Sequence, residues 1–272
     1  MQDNIYKSSQ NVFLDTVSVS DYIQFDRAST VYQSLLHSLN KPLKMILIYG
    51  KPGTGKSMFL SKLYENLVTY KNIHLYMTPI LDESEFFKIL AQDILDINFN
   101  GELNFTQFMK IIKEKKSNKY DDIPIIILDE AQLYSDKLME KIRLLSDTRF
   151  VKFIISLHKT KEEDLIAKEH FRTRIFESIE LKNASPDELK IYIEKKLINN
   201  DCINSAGMFN KKAIKLIFKL TKGNYRDTNK LLYTLFDIYT FYTQNNPSKI
   251  AKSTISCNII EMAAIQTGLI NA

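Results

Sequence analysis

Apolar positions along this chain switch between two spacings. Residues 43–50, LKMILIYG, are apolar at nearly every position and end in glycine, as a buried strand does. Residues 56–70 then place apolar side chains three or four positions apart, the period of a helix. Upstream, residues 1–27 are polar and patternless, and 28–39 show an amphipathic helical period. Downstream the alternation continues: a strand over 72–79, then a helix over 82–97 with Asp82 as its N-cap. A variable, lysine-rich stretch, 98–121, receives no element. It is followed by a strand in 122–130, a helix over 134–146, a strand over 150–157, a short helix over 161–168 and a strand over 175–181. Strands alternating with helices predict an α/β fold, a parallel sheet with helices on both faces.

After residue 182 no further strand is predicted. Ser185-Pro186-Asp187-Glu188 reads as a capping box with proline in the first turn, opening a helix to about residue 199. Asn210 caps a second helix, which Gly223 ends as a C′ residue. A long aromatic helix spans about 226–243, and Ser253 opens a last one. The expected organisation is an N-terminal polar segment (1–27), an α/β core (28–182) and a small all-helical domain (183–272).

Composition narrows the setting. The hydrophobic share of 44% and charged share of 25% are ordinary for a soluble globular chain. Cys202 and Cys257 have neither CxxC spacing nor a nearby histidine, so no disulfide or metal framework is expected and a reducing cytosol fits. The N-terminus lacks a basic region followed by an apolar core, and no apolar run reaches the ~18–20 residues that span a bilayer. A cytoplasmic location is the expectation. The net charge of +5 permits an acidic partner such as DNA or a lipid surface without requiring one.

Three of the seven glycines fall within six positions, in Gly50-Lys51-Pro52-Gly53-Thr54-Gly55-Lys56-Ser57. This is the G-x-x-x-x-G-K-[ST] phosphate loop, here set between a strand and a helix as the motif requires. Its glycines let the backbone curl so that N–H groups point at phosphate oxygens, and the following helix N-terminus, from Lys56 through Met58, adds its positive dipole. Lys56 is expected to reach the β and γ phosphates of ATP, and the Ser57 hydroxyl to ligate Mg2+. The 122–130 strand ends in Asp129 and Glu130. In a phosphate-loop ATPase the first carboxylate holds the magnesium shell and the second polarises the attacking water, so hydrolysis is expected.

Only six arginines occur, and three lie at suggestive places. Arg172 and Arg174 precede the 175–181 strand, and Arg226 follows Gly223 by three residues. An arginine can bring delocalised charge to a γ-phosphate from a neighbouring subunit or from a lid. Arg172 and Arg174 are therefore candidates for the first role, with an ordinary surface ion pair as the competing reading, and Arg226 for the second. Ser156 and His158, ending the fourth strand, are candidate polar sensors beside the attacking water.

These pieces resemble an AAA+ ATPase, and more narrowly the ExeA/GspA/MshM type linked to type II secretion and type IV pilus assembly. The resemblance rests on YGKPGTGKS (49–57), IIILDEAQLYSDKLMEKIRLLSD (125–147), RTRIFESIELKNASPDELKIYIEKKL (172–197) and TKGNYRDTNKLL (221–232), in that order and spacing. It implies an AAA+ core with a helical lid, ATP with Mg2+, and ATP-dependent homo-oligomers. It also implies work at the inner membrane through a membrane-protein partner of a secretion, pilus or DNA-uptake complex. By position it sets Lys56 and Ser57 on phosphate and magnesium, Asp129 and Glu130 in hydrolysis, and Arg226 as sensor. The type's glycine-glutamine after the fourth strand reads SLHKT here, and its glycine-x-proline-arginine motif reads Gly223-Asn224-Tyr225-Arg226. DNA-binding ATPases of the transposition-regulator (TniB/TnsC) or Orc/Cdc6 loader type are similar to the same core and form the alternative. A helicase, suggested by DEAQ, needs two RecA-like domains that an all-helical second half does not supply.

Overall fold

The computed structural model describes residues 5–14, 16, 18–69, 71–115, 123–159, 169–249 and 253–270. In chain order its elements begin with α1 (Ile5–Val12), α2 (Asp26–Leu39), β1 (Met45–Gly50), α3 (Lys56–Leu67), β2 (Ile73–Tyr76), α4 (Glu83–Leu95) and α5 (Phe105–Lys115). There follow β3 (Ile125–Leu128), α6 (Asp136–Asp147), β4 (Lys152–His158), α7 (Glu169–Arg172) and β5 (Ile175–Glu180). The last five are α8 (Pro186–Asn199), α9 (Ile203–Ala206), α10 (Lys211–Thr221), α11 (Tyr225–Asn245) and α12 (Cys257–Gln266). The chain divides into two compact units: Asp26–Lys51 with Lys56–Leu181, and Met1–Phe25 with Pro52–Gly55 and Lys182–Ala272.

In the α/β unit five parallel strands run in the order β2-β3-β4-β1-β5. Side chains alternate across a strand, so each strand feeds two cores. Ile46, Ile48, Ile125, Ile127, Ile154 and Ile179 pack on one face with Leu35 and Leu39 of α2 and Phe59, Leu60 and Leu63 of α3. Met45, Leu47, Ile126, Leu128, Phe153 and Ile155 pack on the other with Phe86, Phe87 and Leu90 of α4 and Leu138, Ile142 and Leu145 of α6. Both faces are covered, which is why the strands read as continuous apolar runs. Each fully buried aliphatic side chain contributes about 1.5–3 kcal/mol. The architecture is the expected P-loop sheet flanked by helices, followed in the chain by a helical region.

Most predicted boundaries hold within a few residues, and most predicted caps hold. Asp82 accepts from the Glu85 N–H at 2.8 Å, and Ser185 and Glu188 form a reciprocal capping box. Two elements differ. The lysine-rich stretch contains α5, opened by its own box: Asn104 Oδ1 accepts from the Gln107 N–H and Gln107 Oε1 from the Asn104 N–H, both at 3.0 Å. The last helix is capped by Ser256 and starts at Cys257, three residues later than Ser253 predicts. The short helix predicted over 161–168 lies outside the described residues.

The helical unit has its own core, built by Leu189, Ile193, Ile217, Leu232, Leu235, Phe236 and Ile260. The segment 1–27, patternless by sequence, contains α1, which packs into this core. Tyr6 sits 5.0 Å from the Tyr239 ring and Phe13 stacks on Phe236 at 5.9 Å. Two polar residues share that inner face and hide the stripe: Ser9 donates to Ser205 at 2.7 Å and Gln10 to Asp237 at 3.0 Å. Truncating Tyr6 removes a 4%-exposed ring from this core. Tyr6→Ala is expected to cost about 3–5 kcal/mol in chemical denaturation; an unchanged midpoint would show that α1 carries no stability.

Candidate functional site

The loop between β1 and α3 and the tips of β3 and β4 share the carboxyl edge of the parallel sheet, where ligands of open α/β sheets bind. Because β1 pairs with β4 and β4 with β3, the loop after Gly50 and the acids after Leu128 are separated by one strand. Ser57, in the first turn of α3, donates to Asp129 Oδ2 at 2.5 Å. Asp129 is 1% exposed, and its Oδ1 accepts from the Glu130 N–H at 2.9 Å. Lys56 is 5% exposed, and its ammonium donates to the carbonyls of Gly50 at 3.1 Å and Lys51 at 3.3 Å. A buried cation is thus fixed at the base of the loop, one residue from a hydroxyl–carboxylate pair. That pair offers only hard oxygen donors, which suits Mg2+ completed by phosphate oxygens and water.

Glu130 has φ 50, a left-handed conformation that costs a residue with a Cβ about 1–3 kcal/mol. Its carboxylate Oε2 accepts from the Gln132 side-chain amide and lies 3.2 Å from His158 Nε2. Gln132 Oε1 in turn accepts from the His158 N–H at 3.3 Å. Glu130, Gln132 and His158 therefore close a ring that fixes the carboxylate. Ser156 is fully buried on β4, and its hydroxyl has no hydrogen-bond partner among the described residues. An unpaired buried hydroxyl costs about 1–3 kcal/mol, and it sits two residues before His158, on the same side of the strand.

The loop tip, Pro52–Gly55, groups with the helical unit. Asn224, the N-cap of α11, donates from Nδ2 to the Pro52 carbonyl at 2.7 Å while its Oδ1 accepts from the Asp227 N–H at 3.1 Å. The Tyr225 N–H donates to the Gly53 carbonyl at 3.0 Å. In a trans peptide C=O and N–H point oppositely, so these bonds turn the N–H groups of Gly53 and Thr54 away from α11. Gly53 has φ 78, and a Cβ there would meet Asn224 Oδ1 at 2.2 Å. Behind it, Gly223 accepts from the Ala184 N–H at 2.9 Å, and a Cβ on Gly223 would meet the Ala184 carbonyl at 2.1 Å. The helix before this turn has Lys222, left-handed at φ 51, as its C-cap, so Gly223 is the C′ residue that the sequence predicts.

The candidate arginines differ. Arg174 donates to both oxygens of Asp147, at 3.1 and 3.2 Å from Nε and Nη2, and to Thr173 Oγ1 at 2.7 Å. Lys44 and Arg143 also reach Asp147, at 2.5 and 3.0 Å. These residues precede β1, β4 and β5, so the network holds the amino edge of the sheet, opposite the phosphate loop. Arg172 is exposed. Arg226 is exposed in the first turn of α11, in the helical unit. Sequence reasoning missed Gln132, which bonds Glu130 and His158, and Asn224 and Tyr225, which bond the loop tip. The first follows Glu130 by two, and the others lie between Gly223 and Arg226.

Residues 39–165 match the family described as an AAA domain. No curated protein sequence matches the chain. Among solved structures, Cdc6p from Pyrobaculum aerophilum is similar over 95% of this chain and 71% of its own, with a TM-score of 0.65 at 16% identity. The Aeropyrum pernix Orc1 protein, solved in complex with DNA, is similar over 94% and 69%, with a TM-score of 0.59 at 15% identity. A Thermotoga maritima RuvB mutant is similar over 92% and 71%, with a TM-score of 0.58 at 15% identity.

Two predictions follow from this geometry. Gly53→Ala adds a clash and a strained φ, so it is expected to lower the melting temperature and to weaken nucleotide binding in a fluorescent-nucleotide titration; wild-type behaviour in both would refute the Asn224 contact. Burial pushes the Asp147 carboxyl up, but the hydrogen bonds from Arg174 and Lys44 outweigh it and hold it below the usual range. A lowered folded value means its contribution is complete above the unfolded value and is lost as pH falls through the folded one. Asp147→Asn should thus be less stable than wild type at neutral pH, by about 1–2 kcal/mol, with the gap closing below about pH 4. A gap that persists in acid would assign it to packing.

Residues 39–165 thus match an AAA domain, and the fold is one shared with the Cdc6p, Orc1 and RuvB structures.

Proposed function

We propose that this chain binds ATP with Mg2+ and hydrolyses it, using the nucleotide to switch its assembly with further copies. The observation that carries the reading is the Ser57–Asp129 hydrogen bond at 2.5 Å, which joins the phosphate loop to the acidic tip of β3. Lys56 holds a buried positive charge against the phosphates, and Ser57 and Asp129 hold the magnesium shell. When bound, Mg2+ would supply positive charge that offsets the negative charge developing on the phosphates. Glu130, held by Gln132 and His158, orients and polarises the attacking water. Ser156 is assigned to sense that water or the γ-phosphate, and Arg226 to report from the helical lid, 183–272, that follows the 28–182 core. Between the paired arginines, the engagement of Arg174 with Asp147 supports Arg172 as the one that reaches a neighbour's phosphate.

Two settings suit such a switch. The motif resemblance supports a secretion, type IV pilus or DNA-uptake apparatus reached through a membrane partner; among the described residues no helix is long and apolar enough to cross a membrane. A DNA-directed ATPase of the Orc/Cdc6 type is supported by the similarity to Cdc6p and to Orc1, the latter solved with DNA. Charge favours this second setting: residues 182–272 hold 13 Lys and Arg against 7 Asp and Glu, and residues 1–181 hold 24 against 25.

Steady-state phosphate release tests the core of the proposal. Wild-type protein should turn over ATP with Mg2+, and Lys56→Ala should lose at least about 100-fold. Glu130→Gln should still bind ATP and retain any ATP-dependent oligomer while turnover drops at least about 100-fold. Arg172→Ala should lower turnover without weakening nucleotide binding. Undiminished turnover in Lys56→Ala would overturn the site.

A further inference from the structure

Helix α10 gathers lysines on one face. Lys211, Lys212, Lys215 and Lys219 are all exposed and, at about 100° per residue, fall within about 100° of arc over about 12 Å of helix. Lys222, the exposed C-cap residue, extends the row. The opposite face, with Ala213, Ile214, Ile217 and Thr221, is buried in the helical core. Four lysines on other helices pair with a glutamate three or four positions away: Lys62–Glu65, Lys88–Glu85, Lys110–Glu114 and Lys190–Glu194. The α10 sequence offers no such partner, since no Asp or Glu lies between Asp201 and Asp227.

This arrangement works against the helix itself. Lys211 and Lys212 occupy the first turn, where the macrodipole is positive and disfavours cations. Lys211 with Lys215, and Lys215 with Lys219, are like-charge pairs at i,i+4 that repel. Only Lys219, in the last turn, gains from the dipole. A solvated surface would be served better by interspersed acids. Concentrated positive charge held at a cost to the helix marks a surface kept for a polyanion.

We propose that the lysine face of α10 binds the phosphate backbone of a duplex nucleic acid. The proposal deepens the DNA-directed reading above and rests on it, but not on ATP turnover. A rigid helix displaying point charges in a row suits a rigid polyanion that carries one charge per about 1.7 Å of axis. The face presents ammonium groups without an aromatic ring or a guanidinium, so it grips the backbone and does not read bases. An interfacial membrane helix needs its apolar side free to enter the lipid, and the apolar side of α10 is already buried.

The test is fluorescence anisotropy of a labelled mixed-sequence DNA duplex with the full chain, without nucleotide, between about 50 and 200 mM salt. Wild-type binding should weaken steeply as salt rises. The K211Q/K212Q/K215Q/K219Q/K222Q variant should bind at least about tenfold more weakly at the lowest salt, with a log–log salt slope shallower by about 3–4. The matching five-fold Lys→Arg variant should keep both affinity and slope. The Gln variant should melt no lower than wild type, because repulsions are removed, and its ATP turnover should be unchanged. Should it fail to fold, the Lys212→Gln, Lys215→Gln pair should still flatten the slope by about 1–2. No duplex binding by wild type would overturn the DNA-directed reading itself. Equal binding and slope in wild type and the Gln variant would overturn this surface. Binding to phosphatidylserine–phosphatidylcholine vesicles that duplex DNA does not displace would overturn it in favour of a membrane.

Discussion

The hydrogen bond from Ser57 to Asp129 depends on the order of a parallel sheet. Only because β4 lies between β1 and β3, all running the same way, do the loop after β1 and the acids after β3 reach the same edge. Strand order is in turn enforced by burial: the isoleucines of β1, β3 and β4 are covered on one face, and Leu47, Leu128 and Phe153 on the other. A slip of one residue would exchange those faces and carry the site residues with them. The packing of the sheet and the geometry of the site are one constraint.

Some strain lies where the chemistry is proposed. Glu130 is left-handed and pinned by Gln132 and His158, Ser156 keeps a buried hydroxyl unpaired, and Gly53 tolerates Asn224 only because it lacks a Cβ. Each costs stability that the two apolar faces offset. The amino edge of the sheet is different: there Asp147 collects Lys44, Arg143 and Arg174 into a satisfied network. Two arginines two residues apart thus meet different environments, one tied to the scaffold and one exposed.

The loop, the acidic strand tip, the alternation of elements and most helix caps were legible in the sequence because each is a local signal with a fixed spacing. Helix α1 was not, since Ser9 and Gln10 occupy its buried face and their partners, Ser205 and Asp237, lie about two hundred residues away. Helix α5 was legible in principle from Asn104 and Gln107, but the surrounding lysines masked it. Nothing local in Gly223-Asn224-Tyr225-Arg226 announces that Asn224 would bind the Pro52 carbonyl, because that contact spans 172 positions. Nor could spacing separate Arg172 from Arg174, whose difference is made by Asp147. Tertiary partners decide such cases.

The central claim is that the loop and the β3 tip form one nucleotide site, and equilibrium titration with a fluorescent ATP analogue in the presence and absence of Mg2+ tests it most directly. The account predicts saturable binding of one nucleotide per chain, displaced by unlabelled ATP, tightened by Mg2+ and no longer tightened once Asp129 is replaced by alanine. Binding that ignores Mg2+, or that persists unchanged in Asp129→Ala, would contradict it.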